Sequence, residues 1–182
     1  MPKLFTRVAG DPEIKSLELE AIDKFVAQKG TSVRVAGWTG RALPEFSLPA
    51  IGGGTLGSAA LRGRPALVFL WLTRCPVCRR FTPDVVALHA RLAQRGLQVV
   101  GLCADDALGL DVPAAERAAW LEEQKVRYPK AVMDKKTRAA LGDQNIFPGF
   151  FLVKPDGSVA RLVLHPPDLP FLEALIEPLL EK

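Results

Sequence analysis

The sequence contains few cysteines, few histidines and few aromatic residues. Its 182 residues include three Cys, two His, three Trp, one Tyr and nine Phe. Three cysteines are too few for the disulfide framework of a small secreted protein, so a close pair plus one further thiol indicates redox or metal chemistry. The aromatic residues are too sparse to form stacking platforms beside the scattered Lys and Arg residues, which excludes a nucleic-acid groove.

Long apolar runs are also missing. No segment reaches the roughly 18 residues that a membrane-spanning helix needs, so we expect no integral membrane segment. The opening residues, Met-Pro-Lys-Leu-Phe-Thr-Arg, lack the apolar core of a signal peptide. This start leaves both locations open: cytoplasmic for the chain as written, and periplasmic if a leader has been removed.

The composition is that of a globular protein. The hydrophobic fraction of 48% and the charged fraction of 24% lie near the averages of folded domains. A chain of this length accommodates one domain with a modest extension. We expect a monomer that folds unaided.

Residues 1–36 differ in pattern from residues 37–182. Between Glu13 and Lys29, apolar residues recur at helical spacing, and Gly30 follows as a stop signal. We predict an N-terminal extension with an amphipathic helix whose apolar stripe packs against the domain formed by residues 37–182.

Two continuous apolar runs, residues 65–72 and 97–103, have the pattern of central parallel strands. Helical spacing over residues 81–94 lies between them, which predicts a strand–helix–strand unit with a right-handed crossover. The remaining predicted elements are a short strand at residues 45–48, a helix near 113–125, a strand near 131–133, a helical turn near 135–141, a hairpin of residues 150–153 and 159–164, and a helix at 169–180.

The segment Cys75-Pro76-Val77-Cys78 lies after the first apolar run, where open α/β sheets place their functional sites. A Cys75 sulfur at a helix N-cap faces unpaired N–H groups and the positive end of the helix dipole, which favour the thiolate. Pro76 suits the first helical position, and Cys78 lies one turn further, within bonding reach and more inward. We predict that Cys75 is the nucleophile, that Cys78 is the resolving thiol, and that no cofactor is bound.

Positive charge surrounds the pair in the sequence. Arg74, adjacent to the nucleophile, is expected to favour the thiolate and to attract acidic partner surfaces. Arg79 and Arg80 are equally consistent with a solvated helix face.

A metal site is the main alternative for the two cysteines. Zinc needs four ligands, and the other candidates, Cys103, His89 and His165, form no second C-x-x-C. Cys103 lies in an apolar strand, so we expect it to be buried and inert. We expect structural roles for both histidines and no metal site.

Three segments together resemble the TlpA/ResA-like branch of the thioredoxin superfamily. They are residues 43–48, 71–78 and 145–153, and the resemblance covers roughly residues 40–182. It implies an α/β thioredoxin-like fold with a central mixed β-sheet flanked by helices and an inserted αβ unit. It also implies a thiol–disulfide oxidoreductase that acts on protein disulfides or dithiols and exchanges with an upstream thiol reductant.

In that family a proline just before a strand is cis and faces the disulfide, and Pro148 matches it. The preceding Phe147 would then offer its backbone to an extended partner strand. With Trp71, Arg74 and Pro76, these residues are assigned to substrate binding and support of the active site.

The chain departs from its relatives at three positions that tune the thiols. Arg74 stands where relatives often carry Trp, Phe81 where many carry Glu, and Phe69 where thioredoxins place a buried acid. Proton transfer to and from Cys78 therefore lacks its usual carboxylate. Residues 78–83 also resemble tryparedoxin and nucleoredoxin, whose members are general disulfide reductases, and reduction is the direction that we favour.

Two other functions are kept as alternatives. A peroxiredoxin-like peroxidase needs Thr three residues before its reactive Cys, where this chain has Leu72, and Thr73 is one place off. A copper-binding metallochaperone of the Sco type would use Cys75, Cys78 and a distant His, but its cysteines are spaced by three residues. Cu(I) binding by two thiols is chemically allowed.

Overall fold

The computed structural model describes residues 34–181, and the predicted amphipathic helix between Glu13 and Lys29 lies outside this range. No helix within the described range is both long and apolar enough to cross a membrane. The strands of the described residues are β1 (Arg34–Ala36), β2 (Ser47–Pro49), β3 (Thr55–Gly57), β4 (Ala66–Trp71), β5 (Gln98–Cys103), β6 (Lys130–Val132), β7 (Gly149–Val153) and β8 (Val159–Leu164), and the helices are α1 (Pro76–Leu92), α2 (Ala114–Glu123), α3 (Lys135–Ala140) and α4 (Leu169–Leu180).

One mixed sheet organises residues 34–181. Its strand order is β1-β8-β7-β4-β5-β6. Strands β4, β5 and β6 run parallel, whereas β7 is antiparallel to β4, and β8 is antiparallel to both β7 and β1. The two continuous apolar runs are the neighbouring strands β4 and β5, and every residue of β4 is buried. The predicted central strands are therefore confirmed.

The two faces of the sheet carry separate cores, because successive side chains of a strand point to opposite faces. Leu67, Phe69 and Trp71 of β4 pack with buried residues of α1, α2 and α4. Leu70 of β4 instead belongs to the second core, with residues of β2, β3 and β7. The predicted mixed sheet flanked by helices, with αβ elements inserted between β5 and β7, is confirmed.

The elements at the sheet edge and at α1 refine the predicted bounds. Strand β1 pairs with β8, with Arg34 opposite Leu164, so the sheet includes residues 34–36 of the predicted extension. Helix α1 begins at Pro76, five residues before the apolar periodicity starts, because Cys78 alone is buried in its first turn. The division of the chain into an extension and a domain stays a prediction.

Replacing Phe150 tests the packing of the core beneath α1. Its ring stacks on Phe69, with centroids 4.9 Å apart and planes 7° from parallel. We expect Phe150→Ala to lower the free energy of unfolding by about 3–5 kcal/mol in urea denaturation, because a buried cavity remains. Leu110→Ala is the control, since Leu110 is 43% exposed, and it should change the free energy of unfolding by less than about 0.5 kcal/mol. Similar losses in both variants would contradict this account of the core.

Candidate active site

Cys75 lies at the N-cap of α1, which confirms the position predicted for it. The chain leaves β4 at Trp71 and turns within four residues, and the Cys75 N–H donates to the Leu72 carbonyl at 3.3 Å. Pro76 is the first residue of α1. Proline is tolerated there because the N–H of the first helical residue has no partner within the helix. The Cys75 Sγ accepts a hydrogen bond from the Cys78 backbone N–H at 3.1 Å. The start of the helix therefore stabilises negative charge on this sulfur.

The two thiols have opposite protonation tendencies. The pKa of Cys75 is lowered to about 6, because the Cys78 thiol and the backbone N–H groups of Cys78 and Val77 donate to its sulfur and outweigh the effect of burial. The pKa of Cys78 is raised by its hydrogen bond to Cys75 and by burial. At neutral pH Cys75 is therefore mainly a thiolate, and the buried Cys78 is a thiol.

Arg74 points away from the pair toward α2. Its Nε and Nη2 donate to the two carboxylate oxygens of Glu116 at 2.9 and 2.6 Å. Its Nη1 also donates to the Asp111 carbonyl at 3.3 Å. The charge of Arg74 is thus paired with that of Glu116. This pairing reduces the charge available to stabilise the Cys75 thiolate or to attract acidic partners, and both effects of Arg74 stay predictions.

Arg79 makes specific contacts that a residue on a solvated helix face does not need. Its Nε donates to the Thr73 carbonyl at 2.9 Å, and its guanidinium lies 5.4 Å from the ring of Trp120. The ring of Trp120 in turn packs against Trp71, with centroids 4.9 Å apart. Trp71 therefore contacts the ring over which Arg79 lies, and its predicted support of the active site stays a prediction.

Phe147 and Pro148 lie at the same end of the sheet as the cysteines. Strand β7 begins with Gly149 opposite Leu70, the second-last residue of β4, so the two residues before β7 approach the end of β4. The Phe147–Pro148 peptide bond is cis, as the family resemblance implied. Pro148 is buried and Phe147 is half-buried. Their part in substrate binding stays a prediction.

The positions where relatives carry acids are occupied by aromatic rings. Phe69 stacks on Phe150, and the centroid of Phe81 lies 5.9 Å from that of Phe150. A different buried acid lies nearby. Asp105 is fully buried directly after β5, and it accepts hydrogen bonds from the backbone N–H and the hydroxyl of Thr73 at 3.1 and 2.6 Å. Asp105 was not among the residues predicted for the site, although its place after a central strand was a signal for it.

The remaining cysteine and the histidines occupy different places in the fold, and the Cys103 sulfur lies 3.8 Å from the Thr73 hydroxyl. Cys103 is buried beside Trp71 in the register of β4 and β5, which confirms its predicted burial, and burial raises its pKa to about 12. Burial lowers the pKa of His89, whose ring lies edge-on to Tyr128. His165 directly follows β8, and its N–H donates to the Pro148 carbonyl at 2.8 Å. Between residues 34 and 181, no three His, Cys, Asp or Glu side chains are grouped to hold a metal ion.

Comparison with known proteins gives consistent matches. The AhpC/TSA family matches residues 39–162. The thiol:disulfide interchange protein DsbE of Pseudomonas aeruginosa is 30% identical over 129 residues, which are 69% of this chain and 66% of that protein. The thiol-disulfide oxidoreductase ResA of Bacillus cereus is 22% identical over 127 residues, 69% of each protein. A second DsbE, of Pseudomonas fluorescens, is matched over only 49% of its length, so the chain spans half to about two thirds of the DsbE proteins that it resembles.

Solved structures share the fold. A thioredoxin-family thiol:disulfide interchange protein of Chlorobium tepidum superposes with a TM-score of 0.68 at 22% identity, covering 80% of this chain and 99% of that one. A secreted disulfide oxidoreductase of Mycobacterium tuberculosis gives a TM-score of 0.61 at 17% identity, covering 74% and 96%. These likenesses confirm the thioredoxin-like fold, and the DsbE and ResA relatives confirm the resemblance drawn from the sequence.

Removing the Cys78 thiol should raise the pKa of Cys75, because the S–H of Cys78 is the largest cause of its lowering. We expect the rate at which iodoacetamide alkylates the reduced protein to rise with pH around a midpoint near 6 in the unmodified chain. In Cys78→Ala the midpoint should lie higher, while mass spectrometry places the label on Cys75. Cys103→Ala is the control, since Cys103 is buried, and it should leave the midpoint unchanged. An unchanged midpoint in Cys78→Ala would contradict the assigned hydrogen bond.

The stability of the reduced protein should depend on pH through Cys75. Its folded-state pKa is near 6 against an ordinary value of 9.0, so between these pH values the unfolded chain binds more protons than the folded one. The free energy of unfolding should therefore rise between pH 6 and pH 9 relative to that of Cys75→Ala. Below pH 6 the Cys75 thiol is protonated in both states, and this extra stability is absent. Urea denaturation under reductant at three pH values measures it, and a constant difference between the two proteins would refute it.

Proposed function

The chain belongs to the AhpC/TSA family, and on this premise we propose that it is a thiol–disulfide oxidoreductase that reduces disulfides of partner proteins. The observation that supports this most directly is the pair itself. Cys75 is half-buried at the start of α1 with a pKa near 6, and Cys78 is a fully buried thiol one turn further. An accessible thiolate beside an inaccessible thiol is the arrangement that ordered exchange with a partner disulfide needs.

The reaction begins when the Cys75 thiolate attacks one sulfur of the partner disulfide. The partner S–S bond breaks, its other sulfur leaves as a thiolate and takes a proton from water, and a mixed disulfide joins Cys75 to the partner. Cys78 then loses its proton and attacks the Cys75 sulfur. The Cys75–Cys78 disulfide forms, the partner's second sulfur leaves, and two electrons have passed to the partner.

The order of these steps follows from what sets the pKa of Cys78. The largest cause of the raised pKa of Cys78 is its hydrogen bond to the Cys75 sulfur. Once Cys75 is bonded to a partner sulfur, it carries no negative charge, and this cause is removed. Cys78 therefore ionises more readily in the mixed disulfide than in the free reduced protein, at the stage where its attack is productive.

The pKa of Cys75 supports the direction of reduction. A more stable thiolate stabilises the reduced form and makes the couple more oxidising. Strongly oxidising dithiol proteins have nucleophile pKa values of about 3.5, whereas thioredoxin lies near about 7. A value near 6 lies much closer to the reductase. The proposed partners are protein disulfides and an upstream thiol reductant that regenerates the dithiol. The protein is proposed to act as a monomer without a bound cofactor.

The peroxidase alternative has no comparable support at this site. A peroxidatic cysteine needs a threonine hydroxyl that contacts it, but the Thr73 hydroxyl donates to Asp105 at 2.6 Å. Leu72 occupies the position where the peroxidase pattern has Thr. The copper alternative rests on the ligand chemistry of two thiols alone.

Cysteine variants test the proposed reaction. We expect the chain to reduce insulin disulfides with dithiothreitol as the regenerating reductant, and Cys75→Ser to fall to the uncatalysed rate because the nucleophile is lost. Cys78→Ser should accumulate a covalent mixed disulfide that non-reducing electrophoresis detects. Cys103→Ser, which removes a buried thiol, is the control and should keep its activity. A Cys75→Ser variant that remains active would refute the assignment.

The midpoint potential of the Cys75–Cys78 pair tests whether the protein reduces or oxidises its partners. Equilibration in glutathione or dithiothreitol buffers should show a two-electron couple below roughly −220 mV. A midpoint nearer about −120 mV would mark an oxidant and refute the direction while leaving the oxidoreductase. Thiols that form no reversible disulfide, or that stay locked by bound copper, would refute the proposed function as a whole.

A further inference from the structure

Asp105 and Arg117 form a buried ion pair beside the active-site segment. The side chain of Asp105 is 0% exposed and that of Arg117 is 6% exposed, and the Arg117 Nε lies 3.4 Å from the Asp105 carboxylate. A second nitrogen of Arg117 donates to Asp106 at 2.8 Å. The pair therefore joins α2 of the inserted unit to the residues that follow β5.

Through Asp105 this pair reaches Thr73, which lies two positions before the nucleophile. The Thr73 N–H and hydroxyl both donate to the Asp105 carboxylate, at 3.1 and 2.6 Å. The Thr73 carbonyl accepts from the Arg79 Nε at 2.9 Å. Both backbone polar groups of Thr73 and its side chain are thus engaged, so the turn that presents Cys75 has little freedom to shift.

Helix α2 contacts residues 73–79 at two positions, and it contacts Asp105 at a third. Glu116 pairs with Arg74 on the solvent side, and Trp120 lies beneath the guanidinium of Arg79. Arg117 lies between these two positions and is the residue whose charge is buried. Residues 73–79 themselves contain the charged side chains of Arg74 and Arg79. Glu116, Asp105 and the buried thiol of Cys103 contact them, and Arg117 contacts them only through Asp105.

A buried ion pair at this place needs a reason other than stability. Removing two charges from water costs about as much as their attraction returns, so apolar residues of similar volume often stabilise a fold as well or better. What the carboxylate of Asp105 supplies, and an apolar side chain could not, is an acceptor for two donors of one residue in the active-site turn.

We propose that Asp105, oriented by Arg117, is a positioning residue that acts through Thr73 to keep Cys75 at the N-cap, where its sulfur meets the Cys78 N–H. This inference rests on the proposed function, because it assigns to the ion pair the geometry of the reacting thiol. The turn at residues 72–75 links Thr73 to Cys75, since the Cys75 N–H donates to the Leu72 carbonyl and Thr73 lies inside this turn. If Thr73 is released, the Cys75 sulfur moves off the helix axis and loses the stabilisation of its thiolate.

The test compares Thr73→Val, which has the same shape without the hydroxyl, with Thr73→Ser, which keeps the hydroxyl. The rate of iodoacetamide alkylation of the reduced full chain is measured against pH. In Thr73→Val we expect the midpoint to rise by about one pH unit, so that the rate at pH 5 falls about tenfold, while the rate at pH 9.5 stays within about twofold. Thr73→Ser should restore the profile of the unmodified chain.

Thermal unfolding of the same samples separates positioning from mere stability. A purely structural role for Thr73 would lower the unfolding temperature of Thr73→Val without moving its alkylation profile, and that result would overturn the proposal. The proposal is equally overturned if Thr73→Ser moves the profile as far as Thr73→Val does.

Arg79 and Arg80 provide a second pair of variants that keeps the proposal testable if Thr73→Val does not fold. Arg79→Gln and Arg80→Gln each remove one exposed positive charge near the site, but only Arg79 donates to the Thr73 carbonyl. We expect the midpoint to rise more in Arg79→Gln than in Arg80→Gln, because freeing the Thr73 carbonyl releases the same residue that Asp105 holds. Equal shifts would show that the hydrogen bonds of Thr73 do not position Cys75, and they would overturn the proposal.

The alkylation experiment needs no partner protein. A profile that refutes the role of Asp105 can therefore be observed in a chain that still reduces insulin, and the proposed function then stands. Loss of insulin reduction in the unmodified chain would instead refute the proposed function, whatever the profiles of the Thr73 variants.

Discussion

The hydrogen bond from the Cys78 N–H to the Cys75 sulfur connects the fold to the proposed chemistry. It forms because β4 ends at Trp71 and the chain enters α1 within four residues, so that the first N–H groups of α1, which have no partners inside the helix, meet the sulfur. The same turn of helix carries Cys78 into the core. Two identical side chains separated by Pro76 and Val77 thereby acquire pKa values on opposite sides of the ordinary one, and a defined order of attack follows from that difference.

This bond lies between an apolar core and a group of charged residues. Phe69 and Phe81 form part of the core below Cys78, where relatives place carboxylates, and an apolar neighbourhood keeps the Cys78 thiol protonated. The charged residues instead pair with α2 of the inserted unit. Arg74 binds Glu116, and the buried carboxylate of Asp105 holds Thr73. Positive charge near the pair therefore serves contacts within the protein as well as any attraction of partners.

Much of the fold could be predicted from the sequence, because a strand buried on both faces leaves an unbroken apolar run and a hairpin leaves a turn signal. Strands β4, β5 and β8 and helix α4 were found in this way, with bounds that differ by no more than two residues. The apolar periodicity did not reveal the start of α1, since Cys78 alone is buried in its first turn, but the N-cap cysteine and Pro76 located it. The role of Arg117 escaped altogether, because an arginine in a polar helix has the pattern of a solvated side chain.

The sequence by itself determined the local chemistry of this protein: the spacing of Cys75 and Cys78, the proline that begins α1, and the resemblance that implied the cis bond before Pro148. The tertiary structure alone decided which charges are buried and what they hold. Thr73 and Asp105 are 32 positions apart, and they meet because parallel pairing brings the ends of β4 and β5 side by side. Local periodicity records which face of an element is apolar, but a contact between two polar residues depends on strand order and register, which no local pattern contains.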